Sequence, residues 1–233
     1  MIILRVSTFN IQNFYLKDDD IDKYFNKLYK FIKLYNIDLI GMQEVVEELF
    51  NKFKYISGKP RMIINSKYNE YNPICSKYEL ISTKTYHLPV LNSFIPRIAT
   101  VSIYNINGKR LRIINTHLAL YKYHFVKHLE FNKLINIIKS DDVLTILMGD
   151  LNLRENSKDL ALFINLMDSV NMKMVDNKDA TYNNKILDFI FVSKSINYKN
   201  VKVISTCLSD HNILMCDVDT YWHLFFLYVL LKF

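Results

Sequence analysis

The stretch Ile98 to Leu118, IATVSIYNINGKRLRIINTHL, holds two β-rich runs on either side of Asn107-Gly108. Asn-Gly is the pair a type I′ hairpin turn prefers, because both central residues need positive φ. A second constraint follows at once. Phe125, Leu129, Leu134, Ile135 and Ile138 recur at helical spacing, and Val143 to Met148 is a fully apolar run of strand length. A hairpin arm followed by a crossover helix and a further strand requires a sheet with both antiparallel and parallel pairs, covered by helices outside. The expected class is therefore α/β.

The rest of the chain repeats the theme. Ile2 to Phe9 reads as a strand, Ile21, Phe25, Leu28, Ile32 and Tyr35 as a helix, and Ile37 to Met42 as a buried strand, which makes one β-α-β unit. Val45 to Tyr55 reads as a helix. Short strands are expected near 61–65, 72–75 and 79–87, with Pro60, Pro73 and Pro89 at boundaries. A helix is predicted over 157–168 and strands near 187–193, 201–205 and 212–218. No repeat and no Pro/Gly/Ser-rich linker divides the chain. With 233 residues, half of them hydrophobic, and only 4 Gly and 4 Pro, one large core is expected and disorder is excluded.

The strand ends carry the chemistry. The first strand delivers Asn10, the second Gln43-Glu44, the hairpin's second arm Asn115-Thr116-His117, and the apolar strand Gly149-Asp150-Leu151-Asn152. Asp188 opens the run LDFIFVS, and Ser209-Asp210-His211 stands between the last two strands. Taken singly, each has a structural reading as a turn cap or a hydrogen-bonded strand end. Together they gather carboxylates, imidazoles and amides where a sheet scaffold positions catalytic groups.

In that order the motifs resemble the endonuclease/exonuclease/phosphatase superfamily, over residues 1 to about 219. TFNIQN (8–13), IGMQEV (40–45), INTHL (114–118), MGDLN (148–152), LDFIFVS (187–193) and LSDHNILMCDV (208–218) carry the resemblance. NPICSKYEL (72–80) is a degraded version of a further family motif, with Asn72 and Pro73 in place of small residues. The resemblance implies a four-layer α/β sandwich, two mixed sheets face to face with helices on both outer faces, and metal-dependent phosphodiester hydrolysis.

It also implies roles. Glu44 would hold Mg²⁺, with Mn²⁺ as a substitute and Asp210 and Asn10 completing the shell; a hard ion with few carboxylates leaves room for water and phosphate. Asp150 would be the general base, with Asn152, two residues on along an extended chain, holding it. His211, oriented by Asp188, and His117 would donate to phosphate oxygens. GDLNLRE (149–155) is most similar to the 5′-tyrosyl-DNA phosphodiesterase branch, which makes Arg154, with Asn10 and Asn152, a substrate-binding candidate.

The surplus of 30 Lys and Arg over 23 Asp and Glu suits an anionic partner, nucleic acid or a membrane surface, though AT-rich coding would also enrich Lys, Asn, Ile and Tyr. Three function classes follow: a nucleic-acid phosphodiesterase first, a phosphatase or phosphodiesterase of lipid or inositol headgroups second, and a non-catalytic binding module last. Cys75, Cys207 and Cys216 are odd in number, and no signal peptide opens the chain, so a reduced, intracellular monomer is expected. The apolar run 221–233 would span about 20 Å as a helix, short of a ~30 Å hydrocarbon core, so it is expected to pack on the sandwich or lie against a membrane surface. Asp18-Asp19-Asp20 reads as the N-terminal signal of the first helix. His124 and His128, at i and i+4, have no evident third ligand and read as a solvated face.

Overall fold

The computed structural model describes residues 3–12, 20–54, 56–57, 71–90, 96–120 and 122–219. The strand expected at 61–65, Asp18 and Asp19, and the apolar run 221–233 lie outside them. Twelve strands form two six-stranded sheets. One sheet contains β1 (Ile3–Asn10), β2 (Leu39–Gln43), β3 (Ile56–Ser57), β4 (Ile74–Ser76), β11 (Asn197–Ile204) and β12 (Ile213–Asp219), in the order β11-β12-β1-β2-β4-β3. The other contains β5 (Glu79–His87), β6 (Ile98–Ile106), β7 (Lys109–His117), β8 (Thr145–Asp150), β9 (Met172–Met174) and β10 (Asp188–Ser193), in the order β5-β6-β7-β8-β10-β9. Each sheet has one parallel pair, β1 with β2 and β7 with β8, among antiparallel neighbours, as the hairpin-plus-crossover reading requires.

Helices α1 (Ile21–Leu34) and α2 (Glu47–Phe50) cover the first sheet; α3 (His124–Ile138) and α4 (Lys158–Asp168) cover the second. Leu4, Val6 and Leu39 of one sheet meet Ile113, Ile146, Met148 and Ile190 of the other in the central layer. Phe131, Leu134 and Phe163 seal the outer face of the second sheet, and Tyr24, Leu28 and Leu49 that of the first. This is the four-layer sandwich. No helix of the described residues is long and apolar enough to cross a membrane.

Local signals account for most boundaries. Asn107 (φ 51°) and Gly108 (φ 80°) make the predicted turn, and the Asn105 side chain accepts from the Gly108 N–H at 2.8 Å. Asp20 caps α1 by accepting from the Asp22 N–H. Ser157 caps α4 in the same way from Leu160. The helix expected over Val45 to Tyr55 is a single turn, however. Its N-cap Val46 offers no side-chain acceptor, and the Lys52 and Phe53 N–H groups bond three residues back, to Leu49 and Phe50, which tightens and ends the coil.

Two polar residues clamp the sheets together. Asn115 of β7 donates across the interface to the carbonyls of Met42 and Pro73, both at 2.8 Å, and accepts from Gln43 at 2.6 Å. Asn72 donates to the Ile98 carbonyl. Gln43, Asn115 and Thr116 therefore belong to the buried frame beneath the site. Gly41 is the residue that lets the sheets close, since a Cβ there would lie 2.8 Å from the Asn115 side chain.

Candidate active site

Strand register brings the chemical residues to one edge of the sandwich. Asn10 stands beside Gln43 across β1 and β2; His117 and Asp188 both stand beside Asp150 in the β7-β8-β10 ladder. Gly149 makes that approach possible. Its φ is 150°, and a Cβ there would fall 1.8 Å from the Thr116 carbonyl oxygen. Beyond β2 the chain kinks at Glu44, a non-glycine residue held at φ 56°, a costly conformation of the kind that collects at functional sites.

The resulting cleft, ≈ 410 Å³, is lined by Asn10, Glu44, His117, Asp150, Asn152, Arg154, Asp210 and His211 of the predicted set. Asp188 is wholly buried behind it. Asn10 donates through its amide nitrogen to Glu44 and to Asp150 Oδ2, both at 3.0 Å, while its oxygen accepts from the Gln12 N–H. It thus bridges two carboxylates as a donor, rather than presenting its oxygen to an ion. Asp150 Oδ1 accepts from the Asn152 N–H at 2.9 Å. That contact arises from a left-handed turn at Asn152 (φ 50°), not from the extended alternation the sequence suggested. The Asn152 amide instead reaches the Leu118 carbonyl and lies 3.1 Å from His117 Nε2.

The two imidazoles are in opposite states. Burial pulls His211 toward the neutral form, but the charge and the 2.8 Å hydrogen bond of Asp188, with Asp150 and Asp210 behind them, outweigh it and raise the imidazole to about 9. His211 is a cation at neutral pH. Its Nε2 lies 3.8 Å from Asp150 Oδ2. Burial, then the charges of Arg97, His211 and Lys127, hold His117 well below its ordinary value. Arg97 Nη1 lies 3.0 Å from His117 Nδ1, and a guanidinium can only donate, so both ring nitrogens of His117 face donors, Arg97 on one side and the Asn152 amide on the other.

Asp150 is pushed up to about 6, first by burial and then by the Asp188 charge, against His211, Asn10 and Asn152. At neutral pH it is ionised yet more basic than a free carboxylate, as a general base needs.

A divalent ion fits the Glu44 side of the cleft. Glu44 and Asp210 both offer carboxylates to the cleft, and Gln12 Oε1, also of the lining residues, is buried with no hydrogen-bond partner among the described residues. That donor set is all oxygen. Asp150, Asp188 and His211 also bring ligand-type atoms within 4.8 Å of one another. Their contact is already taken up by the Asp188–His211 hydrogen bond, and a cationic imidazole has no lone pair to give.

Arg97, Gln12, Tyr182 and Lys185, with Leu120 and Leu187, complete the lining, and sequence reasoning singled out none of them as site residues. Arg97 was visible as a lone cation after Pro96, just ahead of an apolar strand. Tyr182 stacks on His211, with ring centroids 4.6 Å apart. Thr181, just before it, accepts from the Asp188 N–H and so fixes where β10 begins.

The profile of the Endonuclease/Exonuclease/phosphatase family matches residues 7–211. The chain belongs to this family. Its members are metal-dependent phosphodiester hydrolases, so the chain is an enzyme with a divalent-metal site. No curated protein sequence matches it. Among solved structures it is similar to an endonuclease/exonuclease/phosphatase from Bacteroides vulgatus (23% identity, 94% of this chain and 99% of that one, TM-score 0.78). It is also similar to a Bacteroides thetaiotaomicron mannosyl-6-phosphatase (16%, 93% and 99%, TM-score 0.74). A third is D. rerio TDP2 in complex with a single-strand DNA product (15%, 94% and 99%, TM-score 0.71). At these identities the likeness is one of fold.

Proposed function

We propose that this enzyme is a Mg²⁺-dependent phosphodiesterase of nucleic acid, with 5′-tyrosyl-DNA ends as its first candidate substrate. The observation that carries the reading is the separation of charge in the cleft. Basic Asp150 and metal-competent Glu44 are bridged by Asn10, with cationic His211 on one side, Arg97 buried beside His117, and exposed Arg154 and Lys185 on the lining. Glu44, with Asp210 and Gln12, would hold the ion. When bound, Mg²⁺ supplies neutralisation of charge on the phosphate oxygens.

The chain's own residues do the rest. Asp150 takes the proton of the attacking water as its oxygen bonds to phosphorus. His211, from Nε2, and His117 donate to non-bridging oxygens where charge develops. Arg154 and Lys185, exposed on the cleft lining, attract the flanking phosphate backbone. A phenolate leaving group, with pKa about 10, departs without a general acid, whereas a sugar alkoxide is far poorer. The Leu153-Arg154-Glu155 extension, shared with the tyrosyl branch, supports this choice, as does the net charge of +7.

The test is kcat/KM at matched Mg²⁺ on a 5′-tyrosyl oligonucleotide, plain DNA and RNA, a phosphoinositide, sphingomyelin and a sugar monophosphate. The nucleic-acid substrates should lead, with binding that weakens steeply as salt rises. A lipid or sugar phosphate ahead by more than about tenfold, 1.4 kcal/mol, would reverse the assignment.

A further inference from the structure

We propose, on the roles given above to Asp150, Asn152 and His117, that Lys127 and Glu130 of α3 are positioning residues for those three. Periodicity assigns the apolar face of α3 to Phe125, Leu129, Leu134, Ile135 and Ile138. In the fold Phe125 is 66% exposed, while Lys127 and Glu130 are wholly buried. Lys and Glu are almost never fully buried unless paired. A helix that gives two core positions to charges breaks its own pattern, and such breaks collect at functional sites.

Each charge holds one of the two strand ends that α3 connects. Lys127 Nζ donates to the Asn152 carbonyl and, at 3.5 Å, to that of Leu151, in the turn that leaves β8 just after Asp150. One turn along the helix, Glu130 Oε2 accepts from the Ala119 N–H at 3.0 Å, two residues past His117 at the end of β7. Between these anchors the strand ends meet: His117 stands beside Asp150 in the ladder, and the Leu118 N–H donates to the Asp150 carbonyl at 3.0 Å. The crossover helix thus grips, from behind, both strands whose tips present the base and the neutral imidazole.

The turn at Asn152 needs such a grip. Its φ of 50° is a left-handed conformation that an L-residue keeps only when its surroundings impose it. With its carbonyl fixed by Lys127, the Asn152 N–H meets Asp150 Oδ1 at 2.9 Å, and its amide lies 3.1 Å from His117 Nε2. Burial lowers Lys127 only to about 8, against the charges of Asp159, Glu130 and Asp150, so it remains an ammonium at neutral pH. Neither Lys127 nor Glu130 lines the cleft. Their replacement acts through the residues they hold, without touching substrate.

The experiment measures kcat and KM, at saturating Mg²⁺ and well below each variant's melt, on whichever substrate of the panel above wild type turns over fastest. Lys127→Met keeps an unbranched stem but has no donor. It should lower kcat by about 10- to 100-fold, the scale of a misplaced catalytic group, with KM within about twofold. Lys127→Arg, which keeps the charge and the donors, should recover most of that loss. Glu130→Met should fall by about tenfold, and Glu130→Gln, which keeps an acceptor for Ala119, should lose less. Should Lys127→Met fail to fold, the Glu130 pair decides. Asp150→Asn in the same assay separates two failures. Turnover retained there removes the base and, with it, the need to position one. If Asp150→Asn is inactive while folded Lys127→Met and Glu130→Met keep wild-type kcat, or lose only KM or melting temperature, α3 merely supports the fold and the positioning role is refuted.

Discussion

Replacing Asp188 by Asn tests the electrostatic core of the site, because its consequence has a sign and a pH window. His211 is raised from 6.5 to about 9, which corresponds to roughly 3 kcal/mol of stabilisation, at about 1.4 kcal/mol per unit. A base with a raised folded value contributes all of that below pH 6.5 and loses it as pH rises through 9. The metal-free wild-type protein should therefore lose stability across this window. In Asp188→Asn the charge is gone and its hydrogen bond weakened, so the imidazole falls back toward its ordinary value, with only Asp150 and Asp210 left to oppose burial. The loss between pH 6.5 and 9 should then largely disappear.

Urea unfolding followed by circular dichroism, in chelator and at several pH values, measures this as the difference between wild type and variant. Other shifted groups cancel in that difference. Glu130, raised to about 7, weakens the fold as pH passes from 4.5 to 7, and Lys127, lowered to about 8, strengthens it between 8 and 10.5, in both proteins. Asp150 acts below the window, losing its contribution between 3.8 and about 6. If the two proteins show parallel pH dependence from 6.5 to 9, Asp188 does not set the charge of His211 and the dyad reading fails.

Asp150→Asn should lower kcat by at least ~100-fold with an unchanged melt, the scale for losing a general base; near wild-type turnover would remove it from that role. In wild type the acid limb of kcat/KM should fall near pH 6, the value to which burial and the Asp188 charge raise Asp150. Excess chelator should abolish activity, and Mg²⁺ or Mn²⁺ should restore it; undiminished turnover without metal would refute the Glu44 site. Gly149→Ala should fail to fold or melt far below wild type, since its Cβ would lie 1.8 Å from backbone; a normal melt would mean that β7 and β8 can separate at no cost.

The sequence disclosed those features whose signal is local. The Asn-Gly turn, the caps of α1 and α4 and the apolar alternation of the long strands are each written in a few adjacent residues. The three-residue strand β9 is too short for periodicity to register, and the helix read over Val45 to Tyr55 is cut to the single turn α2 by a cap that lies outside the periodicity. Strand-end position found most of the cleft, because an apolar run that stops at a polar residue marks an edge. It could not separate Gln43 and Asn115, which turn inward to clamp the sheets, from Asn10 and His117, which line the cleft. Only the pairing of strands decides which way an end residue faces. The same limit hid Asp159, which meets His124 and His128 only because α4 packs against α3.

Register also explains how one edge can hold an acid, a base and a cation. Asp188 stands directly across the ladder from Asp150, far away in sequence, and two like charges in that position repel. The fold relieves the conflict asymmetrically. Asp188 is buried against His211 and shares its charge with the imidazole at 2.8 Å, while Asp150 keeps Asn10 and the Asn152 N–H and takes the remaining repulsion as a raised affinity for protons. Exchanging the two environments would exchange the roles. Asp150 suits the proposed role of base because the imidazole neutralising the pair is hydrogen-bonded to the other carboxylate, and the neighbour it meets across β7, His117, is kept neutral by burial and Arg97.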